Sequence, residues 1–254
     1  MSITYALEST MRLHKLFLLF IGFLLTSSAS GVDIKPTVTK AEDFVPKGWK
    51  LHHITHGDLN QDGEPDVALV IQGTDEKKIF PLDYRWFGVA ELDSNPRVLL
   101  IAFRLNDTYE LVLKNEQVLP NPKGIESLSG YGNILHKGKF EITSRNTLKI
   151  GFYYGDHCSV TGQENSYTFR YQNNRFELIG LDSTFAYETI ETTSINYSTG
   201  KVFLTSEVPV FGGYVTHHKE GRIKTKQTYD LQTLDFRQME KILVEIYAAR
   251  HDLK

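Results

Sequence analysis

Apolar residues recur along most of this chain in short runs of strand length, separated by Asn, Asp, Gly and Ser. Residues 49–55 mix apolar and polar positions as a half-buried strand does, and residues 67–71 form an unbroken apolar run suited to a buried strand. Residues 84–92 are the next strand candidate. Residues 97–105 and 108–114 flank Asn106-Asp107 and read as a hairpin. Four more hairpin signals follow. Residues 139–144 and 147–154 flank Arg145-Asn146, and 166–171 and 175–181 flank Gln172-Asn173-Asn174. Residues 192–197 and 201–206 flank Ser198-Thr199-Gly200, and 214–219 and 222–229 flank Glu220-Gly221. Each turn carries residues that tolerate the positive φ angles of tight hairpins. At the C-terminus the period changes. Phe236, Met239, Ile242, Leu243, Ile246 and Tyr247 form one stripe at helical spacing, with Asp235 placed to cap and Gln238 to complete a capping box. That stripe is expected to pack on the sheet. The expected fold is mainly β: an antiparallel meander of hairpins, arranged as a sandwich or a partial propeller-like body, with one C-terminal α-helix.

The first thirty residues follow a different pattern. Met11-Arg12-Leu13-His14-Lys15 is a positive stretch, residues 16–25 are apolar, and residues 26–30 are small. This is the pattern of a secretory signal peptide over 1–30, with Met11 as an alternative start and cleavage near Ser30 or Gly31. The apolar run is half the length needed to cross a bilayer, and no Cys follows it for lipid attachment. The expected mature protein is therefore periplasmic or secreted and has no membrane span. Residues 31–47, with Pro36 and Pro46, read as an extended lead-in. Residues 48–254 read as a single β-rich domain, with a sub-boundary near 120–132 where Pro, Gly and Ser accumulate.

Composition changes this picture little. The formal net charge is −3 with both signs interspersed, which leaves no basic footprint for nucleic acid. The single Cys158 cannot form an intrachain disulfide. The 13 Tyr and 15 Phe against 8 Pro suit a sheet-rich protein.

Residues 58–66, Asp-Leu-Asn-Gln-Asp-Gly-Glu-Pro-Asp, are the most specific stretch. Counting Asp58 as position 1, oxygen-bearing side chains fall at positions 1, 3, 5 and 9: Asp58, Asn60, Asp62 and Asp66. Gly63 sits where the chain must turn, and Glu64 can offer its backbone carbonyl. Ca²⁺ takes six to eight oxygens, and alternate residues of a tight loop can converge on one. Position 12 is Leu69, so this is not an EF-hand. Such a loop can also hold itself through local Asx hydrogen bonds alone. Residues 52–72, strand–loop–strand around this motif, resemble the FG-GAP/VCBS-type repeat of secreted bacterial and integrin-like proteins. The resemblance implies Asp58, Asn60, Asp62, Glu64 and Asp66 as ligands of a structural Ca²⁺. The motif occurs once, whereas propellers repeat it in every blade.

Other candidate chemistry is thinner. On a regular strand His52 and His56 share a face with His53 opposite, which offers a transition-metal site or plain strand histidines. Asp156-His157-Cys158 has nucleophile and base types, but neighbouring strand residues point apart. His217-His218 falls in a hairpin strand. Tyr167, Phe169 and Tyr171 share one face, as core or as an exposed binding surface. Residues 166–201 resemble uncharacterised bacterial exported proteins, which implies no activity. The expectation is a non-enzymatic exported protein binding an unidentified protein or cell-envelope component, with an inhibitor or immunity protein as one class. A secreted calcium-dependent hydrolase is the alternative, and it requires His52, His56 or Asp156 to converge on the acidic loop.

Overall fold

A computed structural model describes residues 31–81, 91–120, 140–155, 162–223 and 227–253. The chain divides into two units. Met1–Asp33 is one, in which only residues 31–33 are described, and Ile34–Lys254 is the other and holds all the elements named below. The signal-peptide stretch and most of 84–92 and 120–132 lie outside the described residues.

The mainly β expectation holds: among the described residues there are antiparallel hairpins, one C-terminal α-helix and no closed barrel. The strands are β1 (Thr37–Val38), β2 (Trp49–Gly57), β3 (Asp66–Gly73), β4 (Ile79–Pro81), β5 (Glu91–Asp93), β6 (Arg97–Leu105) and β7 (Thr108–Asn115). They continue with β8 (Phe140–Ile142), β9 (Thr147–Gly155), β10 (Gly162–Gln172), β11 (Arg175–Ala186), β12 (Ile190–Asn196), β13 (Lys201–Val210) and β14 (Gly213–Arg222). The helix α1 spans Phe236–Leu253. One sheet has the order β1-β7-β6-β3-β2, and a second runs β8 to β14 in strict sequence order. β4 and β5 form a small separate pair.

The turns explain the hairpins. Asn106, Asn146, Asn173 and Asn174 all take φ between 53° and 58°, the left-handed region that Asn tolerates better than other non-glycine residues. Gln172 pairs directly with Arg175, so Asn173-Asn174 is a two-residue turn. One expected hairpin is absent. Glu220 and Gly221 lie inside β14, paired with Phe203 and Val202, and the chain reverses at Phe211-Gly212 instead. The lead-in is also more than extended chain: β1 pairs with β7, and a 3-10 turn at Ala41–Phe44 buries Phe44.

β3 is buried along its whole length, as its apolar run requires. Ala68 and Val70 join Leu99, Ile101, Phe152, Tyr167 and Phe169 in one core that also takes Met239, Ile242 and Ile246 of α1. This core draws on residues either side of the 120–132 stretch. The two sheets adjoin where β2 meets β8. The Ile142 amide donates to Thr55 Oγ1 at 3.1 Å, and Gly57 lets the strands approach so closely that a Cβ there would lie 2.4 Å from Ile142 Cγ2. The capping box of α1 forms as expected. Asp235 N donates to Gln238 Oε1 at 2.9 Å, and Gln238 N to Asp235 Oδ1 at 2.7 Å.

Candidate metal centre

The loop between β2 and β3 turns through Gln61 (φ 65°) and Gly63 (φ 93°). Its side chains fold inward onto its own backbone. The Asp62 amide is shared between Asp58 Oδ1 at 3.1 Å and Asn60 Oδ1 at 3.0 Å, so these two oxygens converge on one point. Gly63 N donates to Asp58 Oδ2 at 3.1 Å, and Glu64 N to Asp62 Oδ1 at 2.9 Å. Asn60 Nδ2 donates to Asp62 Oδ2 at 2.8 Å. Asp58, Asn60, Asp62 and Glu64 therefore sit together at the loop surface.

Asp66 lies beneath these residues. It is fully buried at the start of β3. Its Oδ2 accepts from Leu59 N at 2.7 Å and Asn60 N at 3.2 Å, and its Oδ1 accepts from Arg104 N at 2.9 Å on β6. This carboxylate ties both the loop entry and the neighbouring strand to β3. Burial pushes its carboxyl above the usual range, against the three amides that favour the charged form. The oxygens gathered in the loop are then those of two carboxylates and one side-chain amide. These are hard oxygens of the kind Ca²⁺ takes, with the remaining positions left to water. Among the described residues, no three His, Cys, Asp or Glu side chains come together as a metal-binding group. A cation held here would rest on few charges.

The histidines are not arranged as strand alternation predicts. Leu51 pairs with Ile71 and His53 with Val70, which leaves His52 as the extra residue of a β-bulge. The bulge sets the His52 and His53 rings side by side, 4.6 Å apart, while His56 pairs with Val67 and is exposed on the other face. Lys50, Gln72 and Arg97 line up across β2, β3 and β6 beside them. Burial, then the Arg97 charge, pushes His52 down to about 4 and lowers His53 as well. His52 lies roughly 20 Å along β2 from Asp58, so this histidine does not reach the acidic loop. Asp156, His157 and Cys158 lie outside the described residues. His217 and His218 are exposed on β14, where His218 Nδ1 and Thr205 Oγ1 are 3.2 Å apart. Tyr167 and Phe169 are fully buried and Tyr171 is half-buried against the same cluster, so that face is core.

A second polar centre carries no sequence signal. Glu245 of α1 accepts hydrogen bonds from Tyr197 at 3.0 Å and from Tyr229. Burial, with the Glu245 charge, pushes both phenols above their ordinary range, so they stay protonated donors. Glu245 borders a cleft of about 470 Å³ lined also by Tyr229, Asp230, Thr233, Gln238 and Lys241. The residues are scattered from 197 to 245, and only the packing of α1 brings them together.

No protein-family model, curated protein or solved structure matches this chain.

Proposed function

We infer that this chain is an exported, non-enzymatic β-rich protein that binds a macromolecular or cell-envelope partner and carries one structural Ca²⁺ in the loop at 58–66. The observation that supports the calcium reading is the shared Asp62 amide, which brings oxygens of Asp58 and Asn60 to one point beside Asp62. Asp58, Asn60, Asp62 and the Glu64 carbonyl would hold the ion, and Asp66 would anchor the loop from beneath rather than ligate. A bound cation would relieve the repulsion between Asp58 and Asp62 and clamp β2 to β3. With so few charges the affinity is weak, suited to a compartment with millimolar calcium.

The test is the thermal melt of the mature protein in EGTA and in calcium. About 10 mM Ca²⁺ on a site of roughly millimolar affinity adds ~1.4 kcal/mol, a rise in Tm of about 3–6 °C. The Asp58→Ala/Asp62→Ala double variant should lose that rise. An intact protein whose melt ignores calcium would reduce the loop to a self-bonded turn. The hydrolase alternative draws no support from His52, which is half-buried and roughly 20 Å along β2 from the loop.

A further inference from the structure

The β13–β14 hairpin runs past the sheet that supports it. β12 pairs with β13 only as far as Ile190 opposite Glu207. Beyond that point β13 and β14 continue alone through Val208–Val215, Pro209–Tyr214 and Val210–Gly213, closed by Phe211-Gly212. At ~3.4 Å per residue the tip overhangs by about 10 Å. The eight residues 208–215 are Val, Pro, Val, Phe, Gly, Gly, Tyr and Val, with no charge among them. Phe211 at the apex is fully exposed, and Val210, Tyr214 and Val215 are 43–63% exposed. Opposed residues share a face. Val208 and Val215 therefore point to one side and Pro209 and Tyr214 to the other, so the tip is apolar all round.

The same end of the sheet carries the β11–β12 turn, where Phe185 and Tyr187 are also exposed. Behind the β13–β14 tip polar residues begin at once with Glu207, His217, His218 and Lys219, whereas the β11–β12 turn carries Glu188 at its own apex and Glu191 behind it, so only the β13–β14 tip is free of charge. A flat protein surface would cover one face of such a hairpin and leave the other wet. A fluid apolar medium covers both. The overhang matches the 5–10 Å at which apolar segments sit in the headgroup–acyl boundary, and Tyr suits the boundary itself. The mixed charges behind the tips give no general attraction to anionic lipid.

We propose that the β13–β14 tip, with Phe211 at its apex, inserts into one leaflet of a lipid bilayer and anchors the protein there by apolar burial. The inference rests on the envelope-binding reading above and names lipid as the partner. The test is flotation of the full mature protein with phosphatidylcholine vesicles, beside a parallel mixture with delipidated cell-envelope fragments. The protein should float with the vesicles, equally at low salt and in about 0.5 M NaCl, where surface charge is screened. Phe211→Asp and Tyr214→Asp should each lower partitioning about tenfold or more. Leu105→Asp, at the end of β6 and 55% exposed, should float as the unaltered protein does. Flotation that survives both tip substitutions, or that salt abolishes, overturns the proposal. So does a concentration-dependent dimer, dispersed by Phe211→Asp, in a protein that does not float. Binding to the fragments but not to vesicles overturns lipid and spares the envelope reading; binding to neither overturns both.

Discussion

Asp66→Asn isolates the strut beneath the loop. The buried carboxylate accepts from Leu59 N and Asn60 N through one oxygen and from Arg104 N through the other. Asparagine keeps the shape but has only one acceptor oxygen. If that oxygen serves Leu59 and Asn60, the new NH₂ faces the Arg104 amide; turned round, it faces the two loop amides. Either way at least one amide loses its acceptor and meets a second donor. An unsatisfied buried donor costs about 1–3 kcal/mol, and a hydrogen bond to a charged group contributes about 1.5–3. Relief from burying the charge offsets part of this, as the raised pKa of Asp66 indicates. The net loss should be about 3 kcal/mol, or roughly 6–12 °C in Tm for a domain of this size. Calorimetry and urea unfolding in EGTA read it without any contribution from calcium. A loss below about 1 kcal/mol would refute the strut. If Asp66 were chiefly a ligand, the variant would match the parent in EGTA and fall behind only in calcium.

Acid should weaken the fold through His52. Its pKa in the folded chain is about 4, below the ordinary 6.5, so its neutral form favours folding fully above pH 6.5 and loses that advantage as pH falls from 6.5 to 4. The charges that act on it are those of Arg97, His53 and Lys50, and Asp93 pairs with Lys50. After a discount for partial exposure the loss is of order 2 kcal/mol, and His52→Gln should flatten this part of the stability–pH curve. An unchanged curve would show that His52 titrates normally. Gly57→Ala should cost about 1–3 kcal/mol by pressing a methyl against Ile142, and Ile142→Ala should relieve much of it in a double-mutant cycle. Simple additivity of the two substitutions would refute that contact.

Much of the sheet was legible because its turns announce themselves. Asn106, Asn146 and Asn173-Asn174 sit where a left-handed residue is required, and each marks a hairpin. Glu220-Gly221 misled because it has turn composition, while the real turn at Phe211-Gly212 hides in an apolar run that reads as strand interior. The faces of His52 and His56 were misassigned because alternation assumes an unbroken register, and the bulge at His52 breaks it. The acidic loop was visible as a motif. The hydrogen bonds that tie Asp66 to β6 were not, since one of its partners is a backbone amide 38 positions away. The Tyr197–Glu245–Tyr229 centre joins three distant segments and leaves no local pattern.

In their sheet the seven strands from β8 to β14 follow one another in chain order, and the one added pairing is the bridge from Glu177 of β11 to Asp230 among the described residues. Hairpins of this kind close short loops and can be laid down one at a time as the polypeptide emerges. Helix α1 follows the sheet in the chain, so the sheet is complete before Met239, Ile242 and Ile246 arrive to cover Tyr167 and its neighbours. During that interval a long apolar surface stands open with β14 as an unfinished margin. The order of the chain thus makes the eighteen residues of α1 the step at which aggregation is averted, and a chain truncated before Phe236 should collect in insoluble form.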